Sequence, residues 1–204
     1  MQIAVHIGAV IPLAVLMWDA THHLLTANPI QEATHRTGTT ALVLLVLSLA
    51  CSPANTLLGF KQAIKLRRPL GVYGFLYAVV HVFIFAVIDY GLDLGMIRDA
   101  VLDQLYVLVG LAAFLLLMPL AVTSTKGWMK RLGKRWKRLH WAVYLALPLV
   151  VGHYWWLVKA DIRVPLQYGV VIALLLMVRL PPVRRAVSNL RFRLMPKQAV
   201  SLGK

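Results

Sequence analysis

Six long apolar runs, at roughly 3–24, 39–58, 70–90, 102–122, 139–158 and 164–180, leave this 204-residue chain few ways to fold. Most are about 20 residues long, which as α-helix is about 30 Å, the thickness of a bilayer's hydrocarbon layer. Inside lipid a backbone must satisfy its own N–H and C=O groups, so runs of this kind become helices. The sixth run is shorter and is expected to stop at Arg179 and Pro181-Pro182, because proline has no N–H with which to continue the ladder. Hydrophobic residues make up 60% of the chain and charged ones 14%, against roughly 25% charged in soluble domains. With a mean hydropathy of +0.73, one soluble core could not absorb so much apolar surface. The expected fold is an all-α membrane protein with six transmembrane helices over 1–180 and a basic tail over 181–204. No repeat and no low-complexity tract is visible. The opening MQIAVHIGAV lacks a basic n-region and a small-residue cleavage site before Asp19, so the first run reads as a retained span.

Charge then orients the runs. The net charge of +15 would point to nucleic acid in a soluble chain, but here the basic residues lie between apolar runs. Lys61, Lys65, Arg67 and Arg68 separate runs two and three, seven more from Lys126 to Arg138 separate runs four and five, and seven run from Arg179 to Lys204. That places eighteen of the 22 basic residues on one side. The other side carries Arg36, Arg98, Lys159 and Arg163 together with all seven acidic residues (Asp19, Glu32, Asp89, Asp93, Asp99, Asp103 and Asp161). By the positive-inside rule both termini are expected in the cytoplasm. The basic loop KGWMKRLGKRWKRLH is explained by attraction to anionic lipid, and docking of a cytoplasmic flavoprotein or a flavin phosphate is the functional alternative.

Three histidines fall inside apolar runs: His81, His140 and His153. An ionisable side chain at membrane depth costs about 2.5–3.5 kcal/mol on insertion scales, so a partner or a function is expected for it. Runs three and five both travel outward. At 1.5 Å per residue His81 and His153 lie about 16 and 21 Å from the inner boundary, while His140 sits near the inner surface. Neutral imidazole is an axial ligand of heme iron, and two parallel helices can offer His81 and His153 to opposite faces of one heme. The alternative for each is a packing histidine held by hydrogen bonds. Gly71, Gly74 and Gly152 would let a macrocycle approach the backbone, or would serve ordinary close helix packing.

His140 and His153 stand about 140° apart on an ideal helix, so a kink or π-bulge at Pro148 would be needed for them to share a face. His140 is therefore either an inner ligand or relay, or an interfacial residue beside headgroups. A second, inner heme would need a mate, and Arg67 stands where one would be expected; His6 is a remote substitute. His22, His23 and His35 read as residues of the outer surface, in loop or in quinone or partner contacts. Trp155 and Trp156 suit an aromatic belt. Cys51 is the only cysteine, which excludes an intrachain disulfide. No nucleophile–base set, phosphate-binding loop or paired carboxylate is present.

The segment RLGKRWKRLHWAVYLALPLVVGHYWWLVKAD closely resembles the signature of the MsrQ family, the heme-binding membrane subunits of periplasmic methionine sulfoxide reductase systems. RRPLGVYGFLYAVVHVFIF is similar to that family's third span and HRTGTTALVLLVLSLACSP to its second. The family belongs among ferric-reductase-like transmembrane domains, and the likeness covers nearly the whole chain. It implies a bacterial inner-membrane, multi-pass protein that passes electrons from quinol or a cytoplasmic flavin reductase to a periplasmic molybdopterin enzyme, MsrP. By resemblance, b-type heme is carried at His81, His140 and His153, and FMN is associated with the family. The superfamily has two histidines on each of the third and fifth spans. Arg67 replaces one of them here, which leaves one heme expected and the second open. Such a chain is an electron-transfer subunit and not the catalytic one. Two other readings fit the residues: a standalone ferric or quinone reductase, and a heme-free transporter or assembly protein.

Overall fold

The computed structural model describes residues 2–158, 161–180 and 182–183, and all its regular elements are helical. In chain order they are α1 (Gln2–Thr21), α2 (Pro29–Leu58) and α3 (Lys61–Phe83), which runs on through a π-helical turn, Ile84–Asp89. There follow α4 (Leu94–Asp103), α5 (Leu105–Val122), α6 (Lys126–Leu132) and α7 (Lys134–Leu139). A 3-10 turn, His140–Ala142, leads into α8 (Val143–Leu157), and α9 (Arg163–Arg179) closes the described chain. The six apolar runs thus become α1, α2, α3, α5, α8 and α9. Four stretches (Gln2–Thr21, Pro29–Leu58, Lys61–Asp89 and Leu105–Val122) are long and apolar enough to cross a membrane. At 15 and 17 residues, α8 and α9 are shorter, about 22 and 25 Å. Lys159 and nearly all of the 181–204 tail lie outside the described residues.

Two helices start well before their apolar runs. At α2, Asn28 caps the helix by accepting from Gln31 N–H at 3.1 Å, and Pro29 occupies the first turn, where a missing N–H costs nothing. This adds the polar stretch 29–38 to the N-terminal end of the helix. Its Arg36 bridges Asp19 of α1 and Glu32, each at 2.5 Å, and ties the α1–α2 corner together. At the other end Gly59 adopts φ 72° and returns its N–H to Asn55 C=O at 3.0 Å, a left-handed stop that favours glycine. Only two residues then separate α2 from α3, so the two helices pack antiparallel along their length.

The bundle is built from two such pairs, α2 with α3 and α5 with α8, with α1 against α3 and α9 against both α8 and α2. Leu42, Leu45 and Leu49 of α2 meet Leu117 of α5, Ala146 and Leu147 of α8 and Ile172 of α9 in the central core. Ala146 and Leu147 are fully buried (0% exposed), so α8 is enclosed at this level. Phe75 of α3 stacks on Phe114 of α5 with centroids 5.5 Å apart, joining the two pairs. Large apolar side chains such as Trp18, Leu47, Leu115 and Leu145 point outward, as a lipid solvent allows.

Tyr77 shows how α1 is held. Its hydroxyl donates to Ala9 C=O at 2.7 Å and accepts from Leu13 N–H at 3.0 Å, inserting into the ladder of α1 beside Pro12. Removing the hydroxyl leaves a buried donor and acceptor to find each other or go unpaired, at a cost of about 1–3 kcal/mol. Tyr77→Phe is therefore expected to lower the unfolding midpoint in detergent and to raise protease access to α1. An unchanged midpoint would mean that the ladder closes without the hydroxyl.

Candidate functional site

The two pairs meet through His81 and His153. The ring centroids are 6.0 Å apart and the ring planes stand at 86°. His81, near the end of α3, uses Nδ1 toward Thr34 C=O of α2 at 2.9 Å. His153 of α8 uses Nδ1 toward Tyr106 C=O of α5 at 2.7 Å. A carbonyl only accepts, so each Nδ1 carries a hydrogen, and in the neutral ring Nε2 then keeps a lone pair. The two rings thereby share one hydrogen-bonding arrangement and, when neutral, one tautomer, with Nε2 unprotonated. Tyr106 lies beside this pair, its ring 6.1 Å from that of His153 and its hydroxyl bonded to Gln104 Oε1. On the other flank, His35 stands edge-on to Tyr154 at 6.1 Å.

Two residues that the sequence reading passed over lie under these rings. A Cβ on Gly38 of α2 would meet His81 Nδ1 at 3.0 Å and Cε1 at 3.1 Å. A Cβ on Gly110 of α5 would meet His153 Nδ1 at 2.6 Å and Cε1 at 2.9 Å. Each glycine sits one helical turn after the carbonyl that receives its histidine. The hydrogen-bonded pairs are both 47 residues apart in sequence. The signal was present as a shared spacing of 43 residues, Gly38 to His81 and Gly110 to His153. It is legible only once the helix pairs are known. No repeat was expected from the sequence, yet this arrangement occurs twice.

The glycines that were singled out behave differently. A Cβ on Gly74 would strike Leu45 Cγ at 2.9 Å, and one on Gly71 would meet Ser48 Oγ at 3.1 Å. Gly152 faces Trp156 and Val109. All three serve helix packing, not an open approach to a macrocycle.

His140 stands apart from this pair. It lies in the 3-10 turn at the start of α8, with Nδ1 on Trp136 C=O at 3.1 Å and its ring 3.9 Å from that of Trp136. The helical break is thus this turn and not a π-bulge at Pro148; the π-helical turn occurs instead after His81. His140 lines a cavity of about 450 Å³ at the opposite end of the bundle, walled by Trp136, Trp141, Tyr144, Arg67 and Arg179 among others. None of the seven acidic residues reaches it. His6 is hydrogen-bonded to Tyr73 at 2.9 Å. His22 stacks on Trp18 with centroids 3.9 Å apart, and His23 turns the chain after α1 with φ 54°.

Comparison with known proteins identifies the family of the chain. Residues 37–151 match the model of the ferric reductase like transmembrane component family. The protein-methionine-sulfoxide reductase heme-binding subunit MsrQ of Xanthomonas axonopodis pv. citri is 44% identical over 178 residues, covering 84% of this chain and 82% of that one. The MsrQ of Deinococcus radiodurans is 45% identical over 177 residues, covering 85% and 86%. The chain belongs to the MsrQ family. No solved structure matches it. The ferric-reductase-like stretch of this MsrQ-family chain holds Gly38, His81, Gly110 and His140, and stops two residues before His153.

Arg179 explains part of how the cavity end is held. Pro53 inside α2 has no N–H to give to Leu49 C=O, and Arg179 of α9 fills that place at 2.7 Å while reaching Ser52 Oγ at 3.2 Å. Its Nε is buried with no hydrogen-bond partner among the described residues. Arg179→Met is expected to destabilise the protein by about 1–3 kcal/mol, because the carbonyl loses its donor. In a Pro53→Ala background the restored N–H should remove about 1 kcal/mol of that loss. A double-mutant cycle in detergent unfolding measures the coupling, and strict additivity would show that the two sites are independent.

Proposed function

We propose that this chain is the electron-transfer subunit of a methionine sulfoxide reductase system, and that His81 and His153 are the axial ligands of one b-type heme. The observation that carries the reading is the pair of neutral imidazoles at 6.0 Å, each with Nδ1–H given to a backbone carbonyl. Two metal–imidazole bonds of about 2.0–2.1 Å, with roughly 1.1 Å from each nitrogen to its ring centre, span about 6.3 Å, so the residues fit such a group.

When bound, the heme supplies reversible one-electron iron chemistry. The chain supplies the rest. His81 and His153 would hold the iron through their two Nε2 atoms, which would favour electron transfer over reaction with oxygen. The carbonyls of Thr34 and Tyr106 draw on Nδ1–H, make each ring a stronger donor through Nε2, and hold its orientation. Apolar side chains of α3, α5 and α8 keep bulk water away. In this reading six helices cross the bacterial inner membrane with both termini cytoplasmic. Electrons enter at the His140 cavity from quinol or a cytoplasmic flavin reductase, where FMN is a candidate carrier. They leave at the outer end to a periplasmic molybdopterin subunit, MsrP. His140 acts at the entry side as a relay or inner ligand.

Reduced-minus-oxidised difference spectra of protein purified from heme-replete cells test the assignment. A cytochrome b band is expected in the native chain, and His81→Ala and His153→Ala should each remove the outer heme's contribution. His140→Ala should leave that contribution in place. No band at all would favour a heme-free transporter, and a band that survives either of the first two substitutions would refute the ligand pair. Co-purification with a periplasmic molybdoenzyme separates this reading from a standalone reductase.

A further inference from the structure

We infer that Gly38 and Gly110 are positioning residues that set the two imidazole planes of His81 and His153 at right angles. This rests on the ligand assignment above and goes beyond it, because it concerns the orientation of the ligands and not their identity.

The rings stand at 86° to one another, and each is trapped between the same two elements of a facing helix. One is a carbonyl that takes its Nδ1–H, Thr34 for His81 and Tyr106 for His153. The other is a glycine one turn later, on which the Nδ1–Cε1 edge lies. A single hydrogen bond would leave the ring free to swing about it. The bare backbone of a glycine gives the ring edge a place to lie, and that second contact removes the remaining freedom. Tightness differs between the halves. The space for a Cβ is 3.0 Å at Gly38, where a slight shift of the ring would suffice, and 2.6 Å at Gly110, where the ring must move. The duplication argues that the notch belongs to the histidine, since the 43-residue spacing from glycine to histidine recurs in both halves. Gly74 on α3 is as crowded, its Cβ position lying 2.9 Å from Leu45 Cγ, but it touches neither histidine.

Crossed imidazole planes leave a low-spin ferric heme with a strongly anisotropic paramagnetic signal, whereas nearly parallel planes give a rhombic one. Electron paramagnetic resonance of the oxidised protein therefore reads the interplanar angle. The potential of the heme reads how firmly Nδ1–H is held by its carbonyl. The native chain is expected to give the anisotropic signal. Gly38→Ala should shift it toward the rhombic form with heme retained. Gly110→Ala should shift it further, or lose low-spin heme from folded protein, and both should move the midpoint potential. Gly74→Ala should weaken the fold while its remaining heme keeps the native signal and potential. Native signal and potential in both Gly38→Ala and Gly110→Ala would overturn the inference. A Gly38→Ala protein that does not fold would also count against it, because the contact would then support the bundle and not the ring. If Gly110→Ala alone fails to fold, Gly38→Ala decides. A native chain without any heme signal would overturn the ligand assignment itself, which separates the two failures.

Discussion

The rest of the bundle depends on two hydrogen bonds, from Nδ1 of His81 to Thr34 C=O and from Nδ1 of His153 to Tyr106 C=O. Each joins a helix that carries one of the paired histidines to the helix beside it, and in the neutral ring each selects the tautomer with Nε2 unprotonated. An ionisable ring at this depth needs such a partner, since a bare imidazole in apolar surroundings is costly. The bond meets that need without using Nε2. It also explains why α2 must extend past its apolar run to Pro29, because Thr34 lies in that polar extension. The packing of α2 on α3, and of α5 on α8, follows from satisfying these rings as much as from burying leucines.

The bundle's two ends carry different chemistry. One end has Asp19, Arg36 and Glu32 in an ion-paired corner. The other gathers Arg67, Lys137, His140 and Arg179 around a cavity, in reach of no acid of this chain. Basic and acidic residues are thus sorted by position along the helices. Arg179 has a structural duty as well, since it replaces the N–H that Pro53 lacks.

Much of this was legible in the residues. Runs of apolar side chains located the helices, and depth along parallel runs brought His81 and His153 together. The family signature around His140 and His153 was specific enough to be read directly. Other features were hidden for physical reasons. The stretch 29–38 has no apolar face, so only Asn28 and Pro29 announced that a helix begins there. Gly38 and Gly110 read as ordinary helix glycines, which cost about 0.5–1 kcal/mol relative to alanine and usually signal packing. Their meaning depends on which ring lies across them. Gly71, Gly74 and Gly152 drew attention because they lie near the histidines in sequence, yet an added Cβ there would meet Ser48, Leu45 and Trp156 with Val109, not a histidine ring. A kink or π-bulge at Pro148 was one way for His140 to share a face with His153, and the alternative, that His140 faces something else, is what the 3-10 turn at His140–Ala142 accompanies.

The pairing of His81 with His153 around one heme is tested most directly by the heme-to-protein ratio, measured with an iron assay on the native chain and on the His81→Ala/His153→Ala double variant. Loss of one heme equivalent from a variant that still folds is the expected result. An unchanged ratio would contradict the assignment.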